Sequence, residues 1–289
     1  MNEIRSLDLT ELNKKKIINI DNKFKNISNN FDLNLCSHHA CHAASAAYTS
    51  KFKKKYIYVL DAFGDGINHS EWIFEKGELS DVILEENYPN YPHMWELISR
   101  VIFKEDRKDV GRNLNGYFPS KGPGKIMALA AKSKPNNKLT FKLKKLLLDK
   151  EIYKIEINNH KYLKQKIFNQ IGFKEKKFNW KSKELINIAS SLQHLTNEFI
   201  LKKIENNKFK NISFVGGLAL NCVATSYASN QINKRVYVPP FPGDSGISVG
   251  AAFLGKLNDD KKNIIKKFFI NKNINKKFFP YIGYSYDLN

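Results

Sequence analysis

Cysteine is scarce in this sequence of 289 residues: Cys36, Cys41 and Cys222 are the only three, an odd number with no Cys-x-x-Cys pair. That excludes a disulfide framework and a zinc knuckle and points to a reducing compartment. Long apolar runs are missing as well. No stretch of about 18 uncharged apolar residues occurs, so no membrane span is expected, and no apolar segment follows Met1-Asn2-Glu3-Ile4-Arg5 as it would in a secretory signal. These absences predict a cytoplasmic protein. Acidic residues are outnumbered, 28 Asp+Glu against 48 Lys+Arg, for a net charge of +20. An excess of that size invites a nucleic-acid or anionic-surface reading. The basic residues are mostly lysine mixed with asparagine, as in Asn13-Lys14-Lys15-Lys16 and Asn271-Lys272-Asn273, a pattern that solvated faces produce without any partner. Core-forming residues are not lacking: 42% are hydrophobic, enough for one large domain or two ordinary ones.

Along the chain, residues 1–30 read as a polar leader, with a short helical pattern over 7–20 and no convincing core face. The small-residue run from His38 to Tyr48 suits a helix packed close to a neighbouring backbone. Residues 55–60 predict a strand ending at Asp61 in the turn Ala62-Phe63-Gly64-Asp65-Gly66, and residues 71–75 and 80–85 predict two further strands either side of Lys76-Gly77. Residues 94–103 read as helix. A glycine-bearing loop, Lys121-Gly122-Pro123-Gly124, precedes another helix, and residues 133–179 read as weakly patterned peripheral helices and a loop. Residues 183–204 form a long amphipathic helix with Leu185, Ile188, Leu192, Leu195, Phe199 and Ile200 on one side. Then come a strand at 212–215, a Gly216-Gly217 turn opening a helix to about residue 230, a strand at 236–238, and Gly243-Asp244-Ser245-Gly246 opening a helix to Gly255. Strands alternating with helices indicate an α/β protein whose ligand lies at the carboxyl ends of its strands.

Two kinds of constellation carry chemistry. His38-His39-Ala40-Cys41-His42 puts three imidazoles in five residues, and on a helix His38 and His42 share one face, the spacing that lets two nitrogens reach one metal ion. Solvent-facing histidines on a first helical turn are the plainer account. Asp61 at a strand end and Asp244 at a helix start are rigidly held carboxylates that favour the metal, and mixed imidazole and carboxylate donors suit iron or manganese better than calcium. Cys41 lies partly off the shared face. The second constellation is a set of glycine turns before helices, at Gly216-Gly217, at Gly243 to Gly246, and at Gly122-Pro123-Gly124 with Lys125 behind it. Such turns cradle phosphate, although a tight strand-to-helix turn explains a Gly-Gly pair equally well and none has a Walker or Rossmann spacing. A nucleic-acid interface competes, through the interleaved Lys51-Phe52-Lys53-Lys54-Lys55-Tyr56 and Lys266-Lys267-Phe268-Phe269.

Taken in order, five segments converge on one family. His38 to Ala46, Val59-Leu60-Asp61, Gly122 to Ala130, Phe214 to Cys222 and Pro239 to Ala252 resemble the O-carbamoyltransferases of nodulation-factor and antibiotic biosynthesis. The resemblance implies an α/β, actin-like ATPase architecture of two ribonuclease-H-like halves, shared with the tRNA threonylcarbamoyl-transfer proteins. It implies that carbamoyl phosphate and ATP yield a carbamoyl-adenylate, which a hydroxyl of a sugar or secondary metabolite then attacks beside an iron ion. Carried over by position, the metal ligands are His38, His42, Asp61 and Asp244. Gly216, Gly217 and Asn221 line the nucleotide, Lys125 faces phosphate, and His39 is the spare acid or base.

Departures from the family accompany the matches. Alanine stands at Ala62 and Ala128 where the family has glycine, and residues 1–30 show no glycine- and Asp-bearing hairpin. The expected organisation is therefore a leader at 1–30, a partial actin-like domain at 31–256 with an incomplete N-terminal half, and a basic tail at 257–289. The expected partner is a separate adenylate-forming domain or N-terminal fragment. A non-catalytic nucleotide-binding subunit, a degenerate remnant, and a basic tRNA binder are the alternatives.

Overall fold

The computed structural model of the chain describes residues 36–85, 89–103, 122–149, 152, 160–173 and 181–258. Three strands, β1 Lys54–Gly64, β2 Ile67–Glu75 and β3 Glu78–Glu85, form an antiparallel meander, and β4 Asn211–Val215 and β5 Arg235–Tyr237 extend it in parallel from the β1 edge. The sheet order is β3-β2-β1-β4-β5, a mixed sheet with helices on both faces, of the α/β class the sequence predicts. Asp65-Gly66 and Lys76-Gly77, each pair at φ 55° and 87°, make the two-residue left-handed turns that hairpins of this twist require.

Eight helices are described: α1 His38–Thr49, α2 Tyr91–Phe103, α3 Gly122–Ala130, α4 Asn137–Leu147, α5 His160–Ile171, α6 Lys183–Glu205, α7 Cys222–Gln231 and α8 Ile247–Asn258. The alternation of β1 sends Ile57 and Val59 to one face, where α1 and α8 cover them with Trp72, Phe74 and Val215. Tyr56, Tyr58 and Leu60 point the other way, into a larger core built with α2 to α7. The alanines of α1 matter because this helix is buried nearly all round, between the sheet and α8. Contact there is so close that a Cβ on Gly250 would lie 1.8 Å from the Cys41 carbonyl oxygen.

Several boundaries differ from the expected ones. Within the stretch 133–179, Leu143, Leu146, Ile152 and Ile167 are fully buried in the larger core rather than peripheral, a role that the interleaved lysines conceal. Gly122 is the first residue of α3 rather than part of a loop. The Gly216-Gly217 pair does not open α7 directly, because a single 3-10 turn, Gly217–Leu220, intervenes and Asn221 caps the helix proper. β1 runs past Leu60, but its pairing register with β2 slips between Leu60 and Gly64, leaving Asp61, Ala62 and Phe63 opposite the single Asn68. A bulge of this kind bends a strand and re-aims its side chains.

Not every lysine belongs to the surface coat. Lys55 is fully buried, donating to the carbonyls of Ala47 and Phe52 and lying 4.4 Å from the centre of the Phe74 ring. Burial pushes its pKa down to about 7. Glu71 anchors a second buried network: Lys203 Nζ lies 2.6 Å from its Oε1, His69 Nε2 2.9 Å, and the Tyr56 hydroxyl donates to its Oε2 at 2.5 Å. Burial alone would raise the Glu71 carboxyl, but the bonds from His69, Lys203 and Tyr56 hold it at about 2 against an ordinary 4.5. A carboxyl depressed on folding contributes stability above its unfolded pKa and loses it as pH falls toward the folded one. Denaturant melts of Glu71→Gln and the unsubstituted protein are therefore expected to differ most near pH 7, with the difference shrinking between about pH 4.5 and pH 2; a difference independent of pH would remove the ionic account.

Candidate metal centre

The first turn of α1 is set by Ser37, whose hydroxyl accepts the Ala40 N–H at 3.3 Å. From that start His38 and His42 fall one turn apart on the same face, and their Nε2 atoms stand 3.1 Å apart. The β1 bulge brings Asp61 against them, with Oδ2 at 3.0 Å from His38 Nε2 and 3.8 Å from His42 Nε2. Its other oxygen accepts the Gly217 N–H at 2.8 Å, so the carboxylate is fixed at both ends. Asp244 enters from the 3-10 turn Asp244–Gly246 that precedes α8, its Oδ1 lying 3.8 Å from His38 Nε2 and 3.6 Å from His42 Nε2. One ligating atom from each of the four residues lies within 4.8 Å of all the others.

This spacing fits a cation. Donors about 2.1 Å from an ion stand about 3.0 Å apart when adjacent and about 4.2 Å apart when opposed. Two imidazole nitrogens facing each other can share at most one proton, and both also face carboxylates, so the donor set concentrates lone pairs on one point. His42 is fully buried and Asp61 nearly so, whereas the Asp244 side chain is 60% exposed, which leaves one side of the cluster open to solvent. Burial disfavours protonation of His38, but the hydrogen bond with Asp61 and the charges of Asp61, Asp244 and Asp65 outweigh it and raise its pKa. Burial would raise the Asp61 carboxyl, yet His38, His42 and the Gly217 amide hold it below the ordinary range.

Of the other expected site residues, Gly217 bonds Asp61, and none is one of the four clustered donors. His39 is turned about 100° round α1 from His38, toward the sheet, and is fully buried, with Nδ1 2.8 Å from the Ser70 hydroxyl, which also accepts the Trp72 indole N–H. Burial, and the neighbouring His38 and His42, push its pKa down to about 3 despite the opposing charge of Asp61. This sheet-facing imidazole links α1 to β2. Gly216, at φ 89°, abuts β1 so closely that a Cβ would lie 2.4 Å from the Leu60 carbonyl oxygen, and one on Gly217 would lie 2.9 Å from Asp61 Oδ1. Both glycines therefore serve the approach of this turn to Asp61. Asn221 caps α7 by accepting the Ala224 N–H and exchanges bonds with Gln193. Lys125 is on the exposed side of α3, a helix packed mainly on α2 and α6.

Sequence reasoning missed the supports. Asn90 donates to the Ala62 carbonyl at 2.7 Å and accepts the His93 N–H at 3.0 Å, tying the bulge to the start of α2; an Asn two residues before a Pro at a helix start was the available signal. In the nucleic-acid candidate, Lys55 and Tyr56 are buried rather than displayed for stacking, and residues 266–269 lie outside the described residues. Among the described residues no helix is long and apolar enough to cross a membrane.

A family model described as carbamoyltransferase N-terminus matches residues 7–253, which include all four clustered ligands. The chain belongs to this family. The carbamoyltransferase match begins well before His38, inside the stretch set apart as a leader, and residues 7–35 lie outside the described residues. An uncharacterized protein of Methanocaldococcus jannaschii is 28% identical over 247 residues, covering 77% of this chain and 37% of that protein. An uncharacterized Synechocystis protein is 25% identical over 235 residues, 74% of this chain and 35% of its own length. The chain thus spans less than half the length of these curated relatives. Among solved structures, component A of the (R)-2-hydroxyglutaryl-CoA dehydratase of Acidaminococcus fermentans is similar at a TM-score of 0.45 and 13% identity, over 81% of this chain and 71% of that one. HypF of T. kodakarensis is similar at 0.44 and 16%, over 86% and 39%. At such scores neither likeness bears on what this carbamoyltransferase-family chain binds.

Proposed function

We propose that this chain binds one divalent ion, iron(II), through His38, His42, Asp61 and Asp244, binds ATP beside it, and takes part in transferring a carbamoyl group to a hydroxyl of a sugar or secondary metabolite. The observation that carries the reading is the four-donor cluster, assembled from three separate parts of a carbamoyltransferase-family chain. A bound divalent ion supplies Lewis-acid polarisation of a carbamoyl or phosphoryl oxygen and lowers the pKa of an attacking hydroxyl.

The chain's own residues would contribute placement. Asp61, clamped by the Gly217 amide, and His42, buried in α1, form the rigid floor, while Asp244 stands at the open side where donor and acceptor must enter. Ion uptake requires His38 and His42 to be deprotonated at Nε2, so protons and metal compete for the same atoms. Gly216 and Gly217 are proposed to line the nucleotide with their backbone. Asn221, already engaged by Ala224 and Gln193, would hold the turn in shape, and Lys125 is the proposed phosphate contact. The activated carbamoyl donor would come from a separate adenylate-forming domain or N-terminal fragment supplied with carbamoyl phosphate.

Anaerobic purification of the full chain is expected to yield bound iron. With such a companion domain, carbamoyl phosphate, ATP and a panel of hydroxylated sugars, it is expected to yield a carbamoylated product by mass spectrometry. A chain that takes up neither iron nor ATP and gives no product in that mixture would sink the proposal.

A further inference from the structure

The hairpin tip that follows the bulge touches the metal-ligand helix twice. Asp65, at the left-handed first position of the β1–β2 turn, accepts the backbone N–H of His38 through Oδ2 at 2.5 Å. Its neighbour Gly64 lies flat against the His38 ring, where a Cβ would come within 2.2 Å of Cδ2. The first N–H groups of a helix have no partner within the helix, and here Ser37 serves Ala40 while Asp65 serves His38. The His38 side chain is 21% exposed and that of His42 fully buried, so packing fixes His38 less and its backbone anchor matters more.

We infer that Asp65 is a positioning residue for His38: its carboxylate pins the first turn of α1 to the hairpin tip and so sets where His38 Nε2 meets the other three donors. The inference rests on the metal reading above and extends it to a residue outside the donor set. Outer partners of this kind typically govern metal affinity by about 10- to 100-fold. The hydrogen-bond acceptor is the working feature, so Asn, which keeps an oxygen at the same place and tolerates the left-handed backbone, should serve nearly as well as Asp.

Cobalt(II) titration of the full chain tests this, because its visible absorption reports ligand geometry as well as occupancy. Asp65→Gly removes the acceptor without the strain that alanine would meet at φ 55°. It is expected to raise the cobalt dissociation constant about tenfold or more and to alter the band shape, while Asp65→Asn stays within about threefold. In the metal-free protein the His38 amide is expected to exchange with solvent about tenfold faster in Asp65→Gly than in Asp65→Asn. Cobalt affinity within about twofold of the unsubstituted chain for Asp65→Gly, or equal losses in both variants, would overturn this inference alone. An unsubstituted chain that takes up no cobalt would overturn the metal reading and this inference with it.

Discussion

Replacing His42 by alanine is expected to abolish uptake of a divalent ion at concentrations that saturate the unsubstituted chain, with an affinity loss beyond the roughly 100-fold upper range of outer-partner substitutions. The imidazole is fully buried, and its Nε2 stands 3.1 Å from His38 Nε2, 3.6 Å from Asp244 Oδ1 and 3.8 Å from Asp61 Oδ2. No other described side chain offers a donor at that point, and a methyl group cannot. Thermal melts separate this from a folding defect. A ligand at about 100 times its dissociation constant stabilises the folded state by about 2.7 kcal/mol, so added metal should raise the Tm of the unsubstituted chain and leave His42→Ala where it was. His39→Ala is the informative contrast: its imidazole bonds Ser70 beneath the sheet, so it should lose stability and keep the metal-induced rise. A His42→Ala chain whose Tm still climbs with metal would place the ion elsewhere.

Gly250→Ala is expected to destabilise the fold by about 3 kcal/mol, the upper part of the range for overpacking. The added Cβ would lie 1.8 Å from the Cys41 carbonyl oxygen, 2.5 Å from its carbonyl carbon and 2.8 Å from its Cα. These are backbone atoms of a helix, which cannot swing aside as a side chain can, so α1 and α8 would have to separate. For a chain of this size that corresponds to a fall in Tm of roughly 6–12 °C. Because α1 carries His38 and His42 and α8 follows directly on the turn bearing Asp244, the same separation should weaken metal binding. Gly255→Ala, in the same helix with nothing within 4 Å of the new Cβ, should be neutral or slightly stabilising through helix propensity. Equal behaviour of the two variants would show that the α1–α8 contact is not the cause.

Much of this architecture is local in origin and was legible. The alternation of Tyr56 to Leu60, the Asp65-Gly66 and Lys76-Gly77 turns, and the apolar stripe of α6 depend on near neighbours, so the hairpins and the long helix follow from the residue order. The i,i+4 spacing of His38 and His42 is of the same kind, and it alone required their shared face. By contrast, the parallel pairing of β1 with β4 joins Tyr56 to Ile212 across more than half the chain, and no local pattern encodes which strand lies beside which. That Leu143, Leu146, Ile152 and Ile167 belong to the core and not the periphery is likewise a matter of what packs on them.

The sequence determined the donor types, the helix that pairs two of them, and the ordered motifs of the carbamoyltransferase family. Tertiary structure decided that Asp61 and Asp244 reach the same point, because a bulge turns one and a 3-10 turn presents the other. It also decided that His39, next in the chain to His38, faces Ser70 and not the cluster. Adjacent residues on a helix point about 100° apart, so which imidazoles face the cluster depends on which side of α1 the sheet covers.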